Sequence, residues 1–571
     1  MTMQNASASH SQENTENLPG YHTRWIGLLF IGISLLVISL DNTILNVALP
    51  AISTDLGASQ SELQWIVDAY VLVFAALLLT MGGLGDRLGR KRFLQFGLVL
   101  FGIGSFAAAN STTTEMLIAS RAFLGVGGAT IMPATLSIIS ASFPRHERSQ
   151  AIAIWAAIFG LGVGIGPLVG GWLLEDNSWQ AVFYINLPIV AIALIGDHFY
   201  LAESRDEHAP RLDLPGILLS IPGLFALIYG IIEAGVDGWT ADNVLFAFAA
   251  AAVLLGLFAW WENRNPHPML PIRFFRNMSF TGANLALALI MFSLFGSIFF
   301  LSQFLQTVQG FTALEAGLRI FPMALVLAIM SALSSRISAR IGTKYTVALG
   351  IFIAGSGLLF MSQVFEPNTD YETILLGITV MAGGLGLAVS PATDSIMGSV
   401  PVTKAGIGSA MNDTTRQLGG ALGIAVLGTI MNDIYLDGVR GLKGDLPPVP
   451  PGEAANNLQR VLEGTESSIQ GAHYGSEQFV ANVSRLGDPR IADAARGIRQ
   501  TIIDTADTAF TDGMTTAMFV ASIVMFSAVF VVLAILPHRV QAPREELSAA
   551  PVPEHSAPSA GPLETLDAAS D

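Results

Sequence analysis

Long apolar blocks, separated by short polar or basic runs, recur along the chain from Trp25 to Leu536. The blocks are nearly free of charge over about 16 to 25 residues, and a helix rising ~1.5 Å per residue needs about 20 to cross a ~30 Å hydrocarbon layer. The pattern predicts fourteen helical spans, at about Trp25–Ala48, Gln64–Leu84, Phe93–Ala109, Glu115–Ser140, Ala151–Leu174, Ala181–Leu201, Leu214–Ile232, Asn243–Trp261, Phe280–Gln303, Leu314–Arg336, Thr343–Val364, Thr373–Met397, Ile407–Tyr435 and Met514–Leu536. The expected fold is an all-α polytopic membrane protein. The polar first 24 residues lack the basic start of a cleaved signal peptide.

Charge changes the picture in two ways. Only 13% of residues are charged and 52% are hydrophobic, against roughly 25% charged in soluble domains. With the N-terminus inside, 18 of the 28 Lys and Arg fall in inside segments, and the six short outside loops hold none. Both termini are therefore expected in the cytoplasm, and the protein in the cytoplasmic membrane. The net charge of −16 argues against a nucleic-acid partner. The chain has no cysteine, its nine histidines sit in tails, loops or at a helix end, and no HExxH, GxSxG or P-loop string occurs. No cofactor, metal or nucleotide is implied, and transport would draw on an ion gradient.

Between spans 13 and 14 lies a long outside segment, 437–509, with a proline-rich run (Pro447, Pro448, Pro450, Pro451) and an amphipathic stretch from Pro489 to Phe510. It is read as a solvated spacer, with a substrate-facing lid as the alternative. The tail, 537–571, is rich in Ala, Pro, Ser and Glu and is expected to be disordered.

Two strings recur. GDRLGRKR (Gly85 to Arg92) after span 2 returns as SARIGTKY (Ser338 to Tyr345) after span 10, at an offset of 253; GATIMPAT (Gly128 to Thr135) in span 4 returns as GLAVSPAT (Gly386 to Thr393) in span 12, at an offset of 258. Residues 25–203 and 263–536 then form equivalent six-helix bundles, with spans 7 and 8 inserted at 204–262 and a tail at 1–24. Duplicated bundles that rock about a midplane site are the physical basis of alternating access.

GGLGDRLGRKR (Gly82 to Arg92) resembles motif A of the major facilitator superfamily, and GVGIGPLVGG (Gly162 to Gly171) its antiporter motif C. RAFLGVGG resembles motif B through Arg121 and Gly125, with Leu124 where Gln is usual. LDNTILNVALP, WIVDAY, NDTTRQLGGALG and VFYINLP resemble spans 1, 2, 13 and 6 of the fourteen-helix drug:proton antiporters, with Gln180 where Arg is usual. The resemblance covers about Arg24 to Leu536 and implies a multidrug efflux transporter exchanging a drug-like molecule for protons. It implies a gating role for Gly82, Asp86, Arg87, Gly89, Arg90 and Lys91, where Asp86 and Arg90 can form a charge latch; the alternative is topology signalling by the basic cluster alone. Gly162, Gly166, Pro167, Gly170 and Gly171 suit close packing and a kink.

Ionisable groups inside the membrane need a partner, water or a function. Asp41 and Arg121 fall at similar depth, so they are candidates for proton coupling, or else a structural ion pair. Asp68 is a candidate second proton site or attraction for a cationic substrate, or a wet interfacial group, with Trp65 and Tyr70 as lining candidates beside it. Asp413 is a substrate or proton site, or pairs with Arg416 one turn away. Asp394, near the cytoplasmic end of span 12, is expected to tie helix to loop. The reading is a proton-coupled antiporter of lipophilic, cationic compounds, for which a monomer suffices; a dedicated exporter of one antibiotic or metabolite is the runner-up, with a transporter-like sensor or membrane enzyme far behind.

Overall fold

A computed structural model describes residues 18–58, 60–205, 213–266, 268–442, 446, 453–484 and 489–538. The first 17 residues, Arg211, the proline-rich run at 447–452, and the tail from 539 with Arg539 and Arg544 lie outside the described residues. Fourteen helices are long and apolar enough to cross a membrane, and no strand occurs among the described residues. Spans 1 to 5 are Arg24–Leu56, Gln60–Leu88, Arg90–Ala109, Thr114–Ser142 and Arg145–Asp176. Span 6 is Ala181–Tyr200. Spans 7 to 13 are Leu214–Val236, Asp242–Arg264, Met278–Gln303, Ala313–Ile341, Thr343–Val364, Tyr371–Gly398 and Ala405–Arg440, and span 14 is Pro489–Ile535.

Local chemistry ends these helices where apolarity alone leaves their limits open. Thr113 accepts from the Met116 amide to start span 4, Asp213 accepts from Gly216 to start span 7, and Thr312 with Glu315 closes a capping box at span 10. Gly57, at φ +66°, ends span 1 about two turns beyond the expected limit.

Two buried cores organise the molecule. Spans 1 to 6 share one, around Leu35, Ile38, Phe74, Phe101, Trp155 and Phe183. Spans 9 to 14 share the other, around Phe280, Ile290, Ile351, Met381, Leu427 and Met525. The halves meet along two seams, spans 2 with 13 and spans 5 with 10. Span 7 packs on the first of these, with Ile228 against Leu72 and Ala75, and Leu224 and Phe258 join Ala76, Leu79, Ile407 and Ala410. Phe246, Val253, Leu257 and Trp260 of span 8 are exposed, as an apolar face turned to lipid would be.

The segment between spans 13 and 14 departs from the solvated spacer read in the sequence. Helices Glu453–Ser467 and Ile469–Ser484 fold there, and the amphipathic stretch from Pro489 is continuous with span 14 in one 47-residue helix. Val461, Ile469, Phe479 and Val483 bury against Ile498, Ile502 and Phe510 in the second half's core. Tyr435 donates to the Thr465 carbonyl at 2.8 Å, and His473 Nε2 lies 2.7 Å from Asp507 Oδ1. Burying an apolar stripe on each short helix is what holds a segment that could not persist alone in water.

Candidate functional site

Asp41 sits in the first bundle with no exposed surface. Its Oδ2 lies 2.5 Å from Arg121 Nη1, and its Oδ1 accepts from Asn186 Nδ2 at 2.9 Å. Asn186 also donates to Ser105 Oγ at 3.1 Å. Arg121 Nε donates to the Ile66 carbonyl at 3.1 Å, and its guanidinium lies 4.5 Å from the Tyr70 ring centroid. Five spans (1, 2, 3, 4 and 6) thus converge on one carboxylate. Removing either partner of a buried ion pair strands the other charge, at about 3–5 kcal/mol, so the two side chains hold each other in place.

The remaining sequence candidates fall in different places. Asp68 is half-buried on span 2, two residues from the Ile66 carbonyl that holds Arg121. Trp65 turns to the inserted span 7, where its ring lies 6.2 Å from that of Tyr229. Tyr70 points into the core of the first bundle: it is fully buried, stacked on Phe74 at 5.6 Å and set beneath Arg121. The turn of the helix explains this, since residues two apart point to different sides. Asp413 and Arg416 are both buried but form no ion pair; Asp413 accepts from Asn412 at 2.9 Å and from Ser409 at 3.5 Å. Asn186 and Ser105 escaped the sequence reading. The one signal for Asn186 was an amide in the otherwise apolar string VFYINLP.

A second constellation joins the halves on the side that carries the Arg- and Lys-rich loops, here called the basic side. Asp86 accepts from Arg90 Nε at 2.8 Å and from the Gly406 amide, in the first turn of span 13, at 2.7 Å. Arg90 also donates to the Val402 carbonyl at 2.6 Å. A carboxylate facing a helix N-terminus meets unsatisfied amides and the positive end of the dipole. Gly82 and Gly406 cross backbone to backbone, so a Cβ on either would collide with the other's carbonyl. Gly89 has φ +110°, and a Cβ there would strike Glu203, whose carboxylate accepts from the Lys91 and Arg92 amides. Lys91 Nζ reaches the His198 carbonyl at 2.7 Å. Arg87 Nη1 is buried without a hydrogen-bond partner.

Asp394 accepts from Ser149 Oγ at 2.5 Å, across the halves; Ser149 precedes the expected start of span 5 but lies within its first turns here. Nearby, Ser331 Oγ of span 10 donates to the Ala153 carbonyl at 3.2 Å. The glycines of span 5 show two faces. Gly162, Gly166 and Gly170 sit against Ser39, Thr43 and Ile44 of span 1, while Gly164 and Gly171 sit against Ala324 and Leu314 of span 10. Spacings of four and seven residues place each set on one side of the helix. Pro167 lies inside span 5 and Pro322 inside span 10.

Two repeated six-span bundles joined across a central seam, with a buried ion pair in one, define a multi-pass membrane protein of transporter architecture. A model of the Major Facilitator Superfamily matches residues 31–424; the chain belongs to that superfamily. It is 36% identical over 509 residues to the multidrug efflux pump LfrA of Mycolicibacterium smegmatis, covering 89% of this chain and 95% of the pump. It is 30% identical over 481 residues to the tetracenomycin C resistance and export protein of Streptomyces glaucescens, covering 83% of this chain and 89% of that protein. Among solved structures, the human organic anion transporter MFSD10 (TETRAN) matches with a TM-score of 0.52 at 17% identity, over 72% of this chain and 94% of that one, a likeness of fold alone.

Proposed function

We propose that the protein is a proton-coupled antiporter that expels lipophilic, cationic drugs or toxic compounds across the cell membrane, with its termini and basic side in the cytoplasm. The observation that carries this reading is the buried Asp41 held by Arg121 and Asn186. The names of relatives as efflux and resistance proteins support it. Protonating Asp41 cancels the charge that holds Arg121, and Arg121 in turn holds span 2 through the Ile66 carbonyl. Span 2 leads directly to Asp86 and Gly82 at the basic-side crossing. A proton arriving from outside therefore loosens the contact that keeps the basic side shut. Its release there, down a gradient worth ~2.3 kcal/mol per charge per 100 mV, resets the pair. Asp68 lies beside this path and supplies the charge that draws a cation.

Proteoliposomes carrying an imposed pH gradient test the reading. Ethidium efflux is expected with the unaltered protein and is expected to vanish in Asp41→Asn; efflux that ignores the gradient refutes the coupling. The runner-up, a dedicated exporter, is favoured by the tetracenomycin C relative. Protection of a susceptible host against one compound in a broad panel, rather than many, would establish it.

A further inference from the structure

The proposed coupling path leaves one buried cation at mid-depth unused. Arg416 lies eleven residues into span 13, hence ~16 Å from its basic-side end, on the surface that meets the other half. The residue is 5% exposed, and its Nη1 has no hydrogen-bond partner. Among the described residues no carboxylate forms a salt bridge with it. Its guanidinium instead lies 4.2 Å from the ring centroid of Phe159 and 5.6 Å from that of Trp155, both on span 5 of the opposite half. One turn earlier, Asp413 is equally buried and is held only by an amide and a hydroxyl.

Ring faces attract a guanidinium's charge but leave its planar fork of N–H donors without acceptors. That fork matches a carboxylate or sulfonate in bidentate fashion. Spans 5 and 13 belong to different halves, so the aromatic cover over Arg416 is a contact between the halves. The place is the midplane seam between repeats, where two-bundle transporters bind cargo. The result is a guanidinium covered by two aromatic rings, with a carboxyl group one helical turn away and no salt bridge between the two.

We propose that Arg416 and Asp413 form a dipolar cargo subsite for amphoteric aromatic compounds, with Arg416 forked onto a carboxylate or sulfonate, Asp413 facing the cationic group, and Trp155 and Phe159 stacking on the rings. The proposal rests on the export reading above and narrows its substrate class: cargo is not restricted to plain cations.

Tetramethylrhodamine, which carries a free carboxylate, and its methyl ester, which does not, differ at the one group Arg416 would grip. Their binding to the purified full chain, read by fluorescence anisotropy, isolates that contact. Arg416→Gln is expected to weaken the free acid at least ~10-fold while moving the ester less than ~2-fold, the non-additivity that marks a direct interaction. Asp413→Asn is expected to weaken both dyes. Arg416→Lys, which keeps the charge but loses the fork, is expected to cost the acid ~3-fold or more with the ester unmoved, and it carries the comparison if the Gln variant does not fold. Equal shifts for the two dyes, or an unmoved acid, overturn the subsite. A failed export reading shows separately, as loss of gradient-driven ethidium efflux with the dye difference intact.

Discussion

The two seams between the halves are equivalent by the internal repeat, since spans 2 and 13 map onto spans 10 and 5, yet they are built differently. At the first, Asp86 faces inward and grips the start of span 13, two glycines touch backbone to backbone, and the inserted hairpin covers the outside. At the second, Ala339 stands where Asp86 would and is exposed. A charged contact with span 5 on that side comes from Asp394 on span 12 to Ser149. Packing fills the rest of its length: Ala153 with Ser331, Gly160 with Leu327, Gly164 with Ala324 and Gly171 with Leu314. The first seam concentrates its contacts in a polar catch at one end; the second spreads them along two helices that each contain a proline. A catch releases all at once, whereas a long apolar seam can roll, so the first suits a gate and the second a pivot.

The largest break should come at the backbone crossing. Gly82→Leu or Gly406→Leu inserts a side chain where the partner's backbone lies, and only separation of the two helices relieves the clash. Gradient-driven efflux is expected to fall ~100-fold or more, the upper end of an overpacking penalty of about 1–3 kcal/mol. A cysteine introduced at Ala410 should become reactive from the basic side, and the chain has no native cysteine to confuse the reading. Gly164→Leu meets a side chain, Ala324, on a seam that can shift, and about a tenfold loss is expected. Equal losses at the two sites would erase the distinction between gate and pivot.

Charge at the two seams should rank next. Asp86→Asn removes a charge-assisted bond worth about 1.5–3 kcal/mol, which should raise the open-basic-side population ~10-fold or more, read by distances between spin labels across that mouth. Asp394→Asn should raise it ~3-fold, because the hydrogen bond it accepts across the halves comes from a neutral hydroxyl. The pair shares no contact, so their effects should nearly add. Strong coupling would mean that the two catches act as one.

Trp239 of the inserted hairpin donates to Thr429 Oγ1 of span 13 at 3.2 Å. Trp239→Phe should cost only about 0.5–1.5 kcal/mol, seen as a modest fall in thermal stability with efflux kept within ~3-fold. A large transport defect would make the hairpin part of the gate rather than its cover.

Much of this was legible in the sequence because membrane physics leaves few choices. Apolar length set the spans, and the cost of a buried charge singled out Asp41, Arg121 and Asp413 before any contact was known. Motif A announced its own catch, since Asp86 and Arg90 are four residues apart across the Gly89 turn. The partners across long separations stayed hidden. Nothing local joins Ser149 to Asp394 or Asn186 to Asp41, because each contact depends on which faces two distant helices turn to one another. The partners of Tyr70 stayed hidden for the same reason: nearness to Asp68 along the chain does not fix the side of the helix. The 437–509 segment misled through its prolines, although the apolar period after Pro489 already marked the helix that continues into span 14.

The sharpest comparison carries the smallest expected effect. Ala339→Asp writes the missing acid into the second seam at the position equivalent to Asp86. If sequence alone made the two seams differ, this exchange would create a second catch and shift the basic side toward closed by as much as Asp86→Asn opens it. The geometry argues otherwise: Ala339 is exposed, so the new carboxylate would stand in solvent, where its pairing gives about 0.3–0.5 kcal/mol, and it would not reach the start of span 5. The spin-label distances and the efflux rate should therefore move less than ~2-fold. A larger shift toward closure would show the second seam to be one acid short of a gate, and the division of labour between the seams would fall with it.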